Sequence, residues 1–532
     1  MKNKKIEIMA ITIVLIIQTL IYIFVGAKKS YIHMDEAYSL GLASYDKVEI
    51  QENEDFYNIW HTKEYYEDYL SVQDDEKGEY RQVYENQKND VHPPLYYLFL
   101  RFAMGFEKNE YSKWPGIIIN IIIFMFITIF TYLILQKILS NDKKLKEKSI
   151  ILAFFTAITM ASLTNVIYIR MYALSTLNII LTTYLHMKLL ESEKINPKLL
   201  ICIGISALIG SLTHYYYLFY LAMMYITFTV NYIKQKKWKE AGFYTLTIVI
   251  AGIASLAIFP YSITHMFFGY RGQGVIDKFK NISMFFESIK EYLKKVNRFC
   301  FNNIGLYILI IDVILLIFII ITKKIMHKNS DSEKPIHINN KYFNIIILPT
   351  FFYFLLVAVA SPWIELRYIM PICSLLFIIL LYLSYSILKC IFLEKIVNLI
   401  MIVIITATMI SPAIFKIEPE VMFSDKKEIV VRLSKELNLP TLYVFYSENN
   451  RFLDDILLFS KINESYIAKD IEYTEQNIKD IFDKKDIQNG IVIFINKDEG
   501  NEDVLNKICD TLKLNNVQHL KRMNACNIYL LK

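Results

Sequence analysis

Six short segments of this chain carry side chains suited to acid–base or anion chemistry. The first is Tyr31-Ile32-His33-Met34-Asp35-Glu36. Adjacent residues on a helix point in different directions, so the two carboxylates have different roles, one facing a cavity as general base or metal ligand and the other turned elsewhere. The second is Asn89-Asp90-Val91-His92-Pro93-Pro94-Leu95-Tyr96-Tyr97, in which two prolines suit the first turn of a helix and set His92 just ahead of it. The third is Tyr168-Ile169-Arg170-Met171-Tyr172, where a guanidinium fork, suited to an anionic phosphate, interrupts an apolar run. The others are Thr213-His214-Tyr215-Tyr216-Tyr217, Tyr270-Arg271-Gly272 and Glu365-Leu366-Arg367-Tyr368, with His265 a weaker candidate. Singly, each has a plain structural reading: a solvated loop start, a helix start with an incidental histidine, an arginine snorkelling to the interface.

The elements that must position these residues are apolar. Of 532 residues, 54% are apolar and 21% charged, and the apolar ones gather into blocks long enough to cross about 30 Å of hydrocarbon. Hydropathy predicts eleven spans, near residues 8–26, 116–138, 149–164, 171–187, 198–213, 214–233, 241–260, 303–322, 343–360, 368–389 and 395–413. The apolar run after Met1-Lys2-Asn3-Lys4-Lys5 reads as an uncleaved first span, because no small-residue cleavage site follows it. Lysines cluster before the first span (Lys4, Lys5), after the second (Lys143, Lys144, Lys146, Lys148), after the sixth (Lys234, Lys236, Lys237) and after the eighth (Lys323, Lys324, Lys328). Placing all four clusters in the cytoplasm gives a consistent alternation, with the N-terminus inside and the C-terminal tail outside. The six polar segments then all fall at the outward face. That grouping turns a set of weak candidates into an outward cavity for an anionic substrate.

The outward parts are distinct in composition. Residues 46–90 hold fourteen Asp or Glu against five Lys or Arg. The whole loop, about 27–115, is too long for a passive connector. It is expected to carry surface helices, with Trp60 and Trp114 as interfacial anchors. Residues 420–532 mix charge with short apolar runs, Thr441–Phe445 and Gly490–Phe494, between helix-like stretches 426–437 and 503–512. They read as a small soluble α/β domain beyond a membrane domain of residues 1–415. The six cysteines lack CxxC spacing and show no structural zinc site. Four lie in or beside apolar segments as small hydrophobes, and Cys509 and Cys526 could pair in an exported tail. No basic stripe with interleaved aromatics suggests nucleic acid.

The order of an acidic motif after the first span, HPPLYY closing a long first outward loop, RMYAL opening the fourth span, a His-Tyr pair near the sixth and ELRY opening a late span resembles the GT-C glycosyltransferases. It is most similar to the family-39-like bacterial group, related to protein O-mannosyltransferases and to the aminoarabinose transferase that modifies lipid A. The resemblance covers roughly residues 1–415. It implies an all-α polytopic membrane fold of about eleven helices, a polyprenyl-phosphate-linked sugar as donor and an extracytoplasmic acceptor: cell-wall polymer, glycolipid or protein. It implies Asp35 as catalytic base with Glu36 beside it, and leaves open a divalent metal at that pair. His92, Arg170, Tyr172, His214, Tyr215, Arg271, Glu365, Arg367 and Tyr368 become the expected donor phosphate and sugar contacts. Lys-, Ile- and Asn-rich composition suggests an AT-rich bacterium, hence an undecaprenyl carrier. A flippase or transporter of a lipid-linked or anionic solute also needs intramembrane charges, but its usual repeated halves and midplane helix breaks are not seen. A non-catalytic scaffold leaves HPPLYY and RMYAL without a purpose.

Overall fold

The computed structural model describes residues 2–44, 54–107, 109–140, 146–192, 194–268, 282–326, 340–433, 436, 438–445, 452–496, 501–523 and 526–532. The chain divides into two compact units, one of residues 1–26, 87–96 and 117–420 and the other of 27–86, 97–116 and 421–532.

The first unit is a helical bundle. Seven helices among the described residues are long and apolar enough to cross a membrane: Lys5–Lys28, Trp114–Ile138, Trp238–Ile258, Gly305–Thr322, Lys341–Ala360, Met370–Lys389 and Glu394–Phe415. Each needs about 20 residues at about 1.5 Å rise. The eleven spans read from hydropathy each have a helix, but four fail this test as single straight spans. Ser149–Ala157 and Met160–Ile167 form one bent pair at 59°, which brings the number to eight. The break comes where Thr159 caps the second helix by accepting from Ser162 N–H at 3.3 Å. Pro197–Ser211 is short, and Tyr172–Glu191 and Tyr217–Lys234 are diluted by polar side chains. The chain is a multi-pass membrane protein. Met370–Lys389 is its central helix, 72% buried against 11% for Lys5–Lys28 and 22% for Glu394–Phe415. Its Pro371 occupies the first turn, where no N–H is needed.

Polar side chains bind these helices to one another, as expected where lipid offers no hydrophobic drive for association. Thr182 meets Ser206 (3.0 Å) and the Tyr217 hydroxyl (2.7 Å), and His186 meets the Tyr244 hydroxyl at 2.8 Å. A Cβ on Gly210 would lie 2.2 Å from the Tyr217 ring, so glycine is what admits that ring. Asp312, inside the Gly305–Met326 helix, accepts from Ser384 at 2.6 Å. Cys300 and Cys373 are joined by a disulfide rather than serving as separate small hydrophobes.

The second unit is built on a six-stranded sheet: β1 Trp60–Thr62, β2 Thr441–Phe445, β3 Glu464–Lys469, β4 Ile491–Asn496, β5 Val517–Met523 and β6 Cys526–Leu531, in the order β1-β3-β2-β4-β6-β5. β3, β2 and β4 run parallel, and the remaining pairings are antiparallel. Leu442, Val444, Ile491, Ile493 and Ile495 bury one face against the helices Glu475–Phe482 and Asn501–Leu512 through Ile478, Ile481, Leu505 and Ile508. Aromatic contacts fill the other face, with Phe459 against Phe494 at 5.1 Å and Tyr443 against Phe452 at 5.3 Å. The expected strands at 441 and 491 and the helices at 427–433 and 501–512 are present.

Residues 27–115 carry short helices, as expected, and also β1, which pairs antiparallel with β3. One expectation is thereby corrected. Trp60 is accordingly a packing residue of the sheet and not an interfacial anchor: its indole N–H donates to the Ile481 carbonyl at 2.9 Å and its ring packs on Tyr466 and Phe482. Trp114 opens the Trp114–Ile138 helix. Cys509 and Cys526, for which pairing is the less favoured reading, are separate buried thiols.

Candidate active site

In the second unit the acidic pair opens the Met34–Ala43 helix. His33 is its N-cap: its Nδ1 accepts the Asp35 N–H at 3.0 Å, while the Glu36 carboxylate accepts the His33 N–H at 2.8 Å. That reciprocal arrangement satisfies two donors that a helix start otherwise leaves bare. Glu36 also forms an ion pair with Lys29, both side chains fully buried. Burial pulls the Lys29 ammonium below its ordinary pKa, and Glu36 opposes that pull. Asp35 lies differently. Its carboxylate is 15% exposed and sits 3.4 Å from His33 Nδ1. The two neighbours thus divide as expected, Glu36 holding the helix start together and Asp35 presenting a carboxylate beside an imidazole. Glu36, bound to an ammonium and a backbone N–H, does not fit a metal shared with Asp35, and no group of three or more His, Cys, Asp or Glu suited to a metal occurs among the described residues.

In the first unit, four helix breaks bring the other candidates together. His92 precedes the Leu95–Met104 helix, and its Nδ1 lies 2.7 Å from Asp90 Oδ2. Burial pushes the Asp90 carboxyl up, but the His92 ring, its hydrogen bond, and the Arg170 guanidinium outweigh burial and hold it at about 2. Asp90 is therefore a carboxylate at any physiological pH. Arg170 is buried in the tight turn between Met160–Ile167 and Tyr172–Glu191, where its backbone N–H donates to the Tyr168 carbonyl at 2.7 Å. The turn is held by Asn120, whose amide donates to the carbonyls of Val166 (3.1 Å) and Tyr168 (2.8 Å).

Aromatic rings continue the cluster. The His92 and His214 ring centroids are 6.1 Å apart, His214 and Tyr172 5.4 Å, Tyr172 and Tyr368 6.2 Å, and Tyr172 stacks on Tyr168 at 5.9 Å. His214 Nδ1 accepts the Tyr216 N–H at 3.0 Å, which puts its proton on Nε2. Arg367 donates to the Tyr168 hydroxyl at 3.2 Å and lies over the Tyr368 ring at 5.1 Å. Glu365 is paired with Lys295 at 3.4 Å, which also reaches Glu420 at 3.2 Å. Burial raises the Glu420 carboxyl against the pull of Lys295. Tyr215 turns to His265, its hydroxyl 2.8 Å from Nδ1. Arg271 lies outside the described residues.

Of the residues expected at the site, His92, Arg170, Tyr172, His214, Arg367 and Tyr368 form one cluster of cations and rings, buried except for a half-buried Arg367. Glu365 and Tyr215 face other partners, and Asp35 and Glu36 belong to the second unit. Sequence reasoning misses Asp90, Asn120, Lys295 and Glu420. Asp90 has a signal, a carboxylate two residues before His92, whereas Asn120 has none, being one polar residue inside an apolar span.

No protein-family model and no curated protein matches this sequence. Among solved structures, the crystal structure of ArnT from Cupriavidus metallidurans bound to undecaprenyl phosphate aligns over 98% of this chain and 97% of that one, with a TM-score of 0.47 and 8% identity. At that level of likeness the functional reading rests on the residues of this chain.

Proposed function

We propose that the chain is a GT-C-type membrane glycosyltransferase that moves a sugar from a polyprenyl-phosphate carrier to an extracytoplasmic acceptor. The observation that carries this reading is the cluster of Asp90–His92, Arg170, Tyr172, His214 and Arg367–Tyr368, cations and rings gathered at the helix breaks of an otherwise apolar bundle. A phosphate on an apolar tail suits such surroundings: guanidinium and imidazole groups bind its charge and apolar helices accompany its chain. A sugar already joined to a phosphate has its leaving group in place, so no nucleotide-binding element is required.

In this reading Asp35 takes the proton of the acceptor hydroxyl or amine. The acceptor attacks the anomeric carbon opposite the phosphate, and one displacement inverts the configuration. Arg170 and Arg367, with Arg271, stabilise the charge that grows on the departing phosphate. His92, Tyr172 and His214 orient the phosphate or sugar. The N-terminus lies in the cytoplasm and residues 421–532 lie outside. A cell-wall polymer, a glycolipid or a protein would serve as acceptor, and an undecaprenyl chain as carrier.

The test is release of free polyprenyl phosphate by the full chain in nanodiscs, supplied with a panel of polyprenyl-phosphate sugars and a membrane extract as acceptor source. Wild type releases it from at least one donor, and Asp35→Asn lowers turnover by about 10²-fold or more while folding and donor binding persist. Absence of turnover with every donor, together with transbilayer movement of one of these lipids, would replace the transferase by a flippase.

A further inference from the structure

The His92 site contains a device that the transferase reading does not require and the sequence does not announce. The segment that carries it is pinned at both ends. The Lys88 carbonyl lies 3.0 Å from His265 Nε2, and the Leu95 N–H donates to the Leu212 carbonyl at 3.2 Å. Pro93 and Pro94 fix the backbone between. Within it, Asp90 is half-buried against His92 and ionised, so the 2.7 Å contact makes His92 Nδ1 the donor. Protonation of the second nitrogen, Nε2, then decides whether the ring is neutral or charged.

The second histidine of the cluster is built the opposite way. His214 Nδ1 accepts a backbone N–H, which favours the neutral ring, whereas a carboxylate on Nδ1 favours the charged one. Close to the Asp90–His92 pair lie the Arg170 guanidinium, which disfavours a second positive charge, the His214 ring, and the Tyr215 hydroxyl, itself paired with His265. Asp90 interacts with both His92 and Arg170.

We propose that Asp90 is a positioning residue that holds His92 as an imidazolium, making His92 a pH-dependent cation for the carrier's phosphate. The proposal rests on the transferase reading and specifies how its phosphate site is regulated. The donor phosphodiester carries one negative charge. When the bond from the anomeric carbon to the phosphate oxygen breaks, its electron pair stays on that oxygen and the phosphate gains a second charge. The acceptor's proton goes to the base, and His92 keeps its own. A charged ring at the phosphate site therefore holds the departing dianion more tightly than the donor, which favours the transition state. Deprotonating His92 removes that preference.

The experiment measures binding of a short-chain polyprenyl phosphate to the full chain in nanodiscs between about pH 5.5 and 8.5, comparing variants at each pH so that the ligand's own titration, near pH 6, cancels. Asp90→Asn moves the midpoint of binding down by about one pH unit or more. Its affinity is then about tenfold weaker than wild type at pH 7.5 and equal to it at pH 5.5. His92→Lys, a permanent cation, binds without the pH-dependent component, and adding Asp90→Asn to it changes nothing in the pH profile. An Asp90→Asn loss that is the same at every pH would mean a merely structural role and overturns the proposal. So does a His92→Lys variant that keeps the wild-type pH profile, a readout that stands even if Asp90→Asn fails to fold. Wild type failing to bind the lipid at any pH would overturn the transferase reading with it.

Discussion

Replacing Glu36 by Gln separates scaffold from chemistry at the acidic pair. Gln still accepts the His33 N–H, so the helix cap is retained and only the charge is lost. What remains is the Lys29 ammonium, fully buried and with its partner carboxylate gone. Breaking a buried ion pair from one side costs about 3–5 kcal/mol, because one charge is left uncompensated. In a unit the size of residues 27–86, 97–116 and 421–532, about 2–4 °C of melting temperature accompanies each kcal/mol, so Glu36→Gln is expected to melt roughly 10 °C lower. Adding Lys29→Met removes the buried ammonium and should recover most of the loss. The assay is thermal unfolding in one detergent, followed through tyrosine and tryptophan fluorescence, with carrier-lipid release measured below the transition. The reasoning is refuted if Glu36→Gln melts like wild type yet has lost turnover, since the carboxylate would then serve the reaction rather than Lys29. A double variant no more stable than the single one would refute it equally.

Asn120→Ala strips the donors from the Val166 and Tyr168 carbonyls, at about 1–3 kcal/mol for each buried group left bare. Turnover should fall and the melting temperature should drop, as measured by lipid release and thermal scans. Asp90 predicts an acid limit. Its pKa is depressed from the ordinary 3.8 to about 2, so its contribution of about 2 kcal/mol is complete above pH 4 and is lost as pH falls through 2. An acid titration should therefore destabilise wild type more than Asp90→Asn over that interval. Tyr216→Phe removes the hydroxyl that donates to the Ala360 carbonyl at 3.0 Å and should cost about 1 kcal/mol in a thermal scan.

The sequence announces the bundle through apolar length, but it counts helices better than it draws them. Residues 149–164 read as one span because periodicity carries no trace of a 59° bend, whose cause is one threonine cap. The parallel strands β2 and β4 are visible as apolar runs, while β1 is not. Three residues, Trp60-His61-Thr62, inside an acidic stretch have no strand signature, and only pairing with β3, some 400 residues later, makes them one. The division of labour between Asp35 and Glu36 follows from helix geometry, since neighbours diverge by about 100°. Which residue takes which part depends on Lys29, whose burial no pattern reveals. His92 and Arg170 stand out because charge in an apolar setting is rare. Asp90 does not, because its meaning lies in a 2.7 Å contact and a loop carboxylate ordinarily faces water.

The location of the cluster has a physical cause. In hydrocarbon, a backbone carbonyl released by the end of a helix must find a partner within the protein. Tyrosine hydroxyls supply those partners in this chain. Tyr216 caps Ala360, Tyr353 donates to the Tyr368 carbonyl at 2.9 Å, and Tyr292 donates to the Trp363 carbonyl at 3.1 Å with Ser361 Oγ 2.7 Å from its hydroxyl. Each hydroxyl serves a break next to a candidate phosphate contact, the turn of Glu365–Tyr368 above all. The breaks are where helices stop, where polar groups can be satisfied, and hence where a guanidinium or imidazole can be held inside an apolar bundle without heavy cost. A phosphate site built from side chains in such a protein has few other places to form. The tyrosines are the groups that make those places tenable. Tyr168 stacks on Tyr172, Tyr172 meets Tyr368 edge-on, and Tyr168 and Tyr368 hold Arg367 in position.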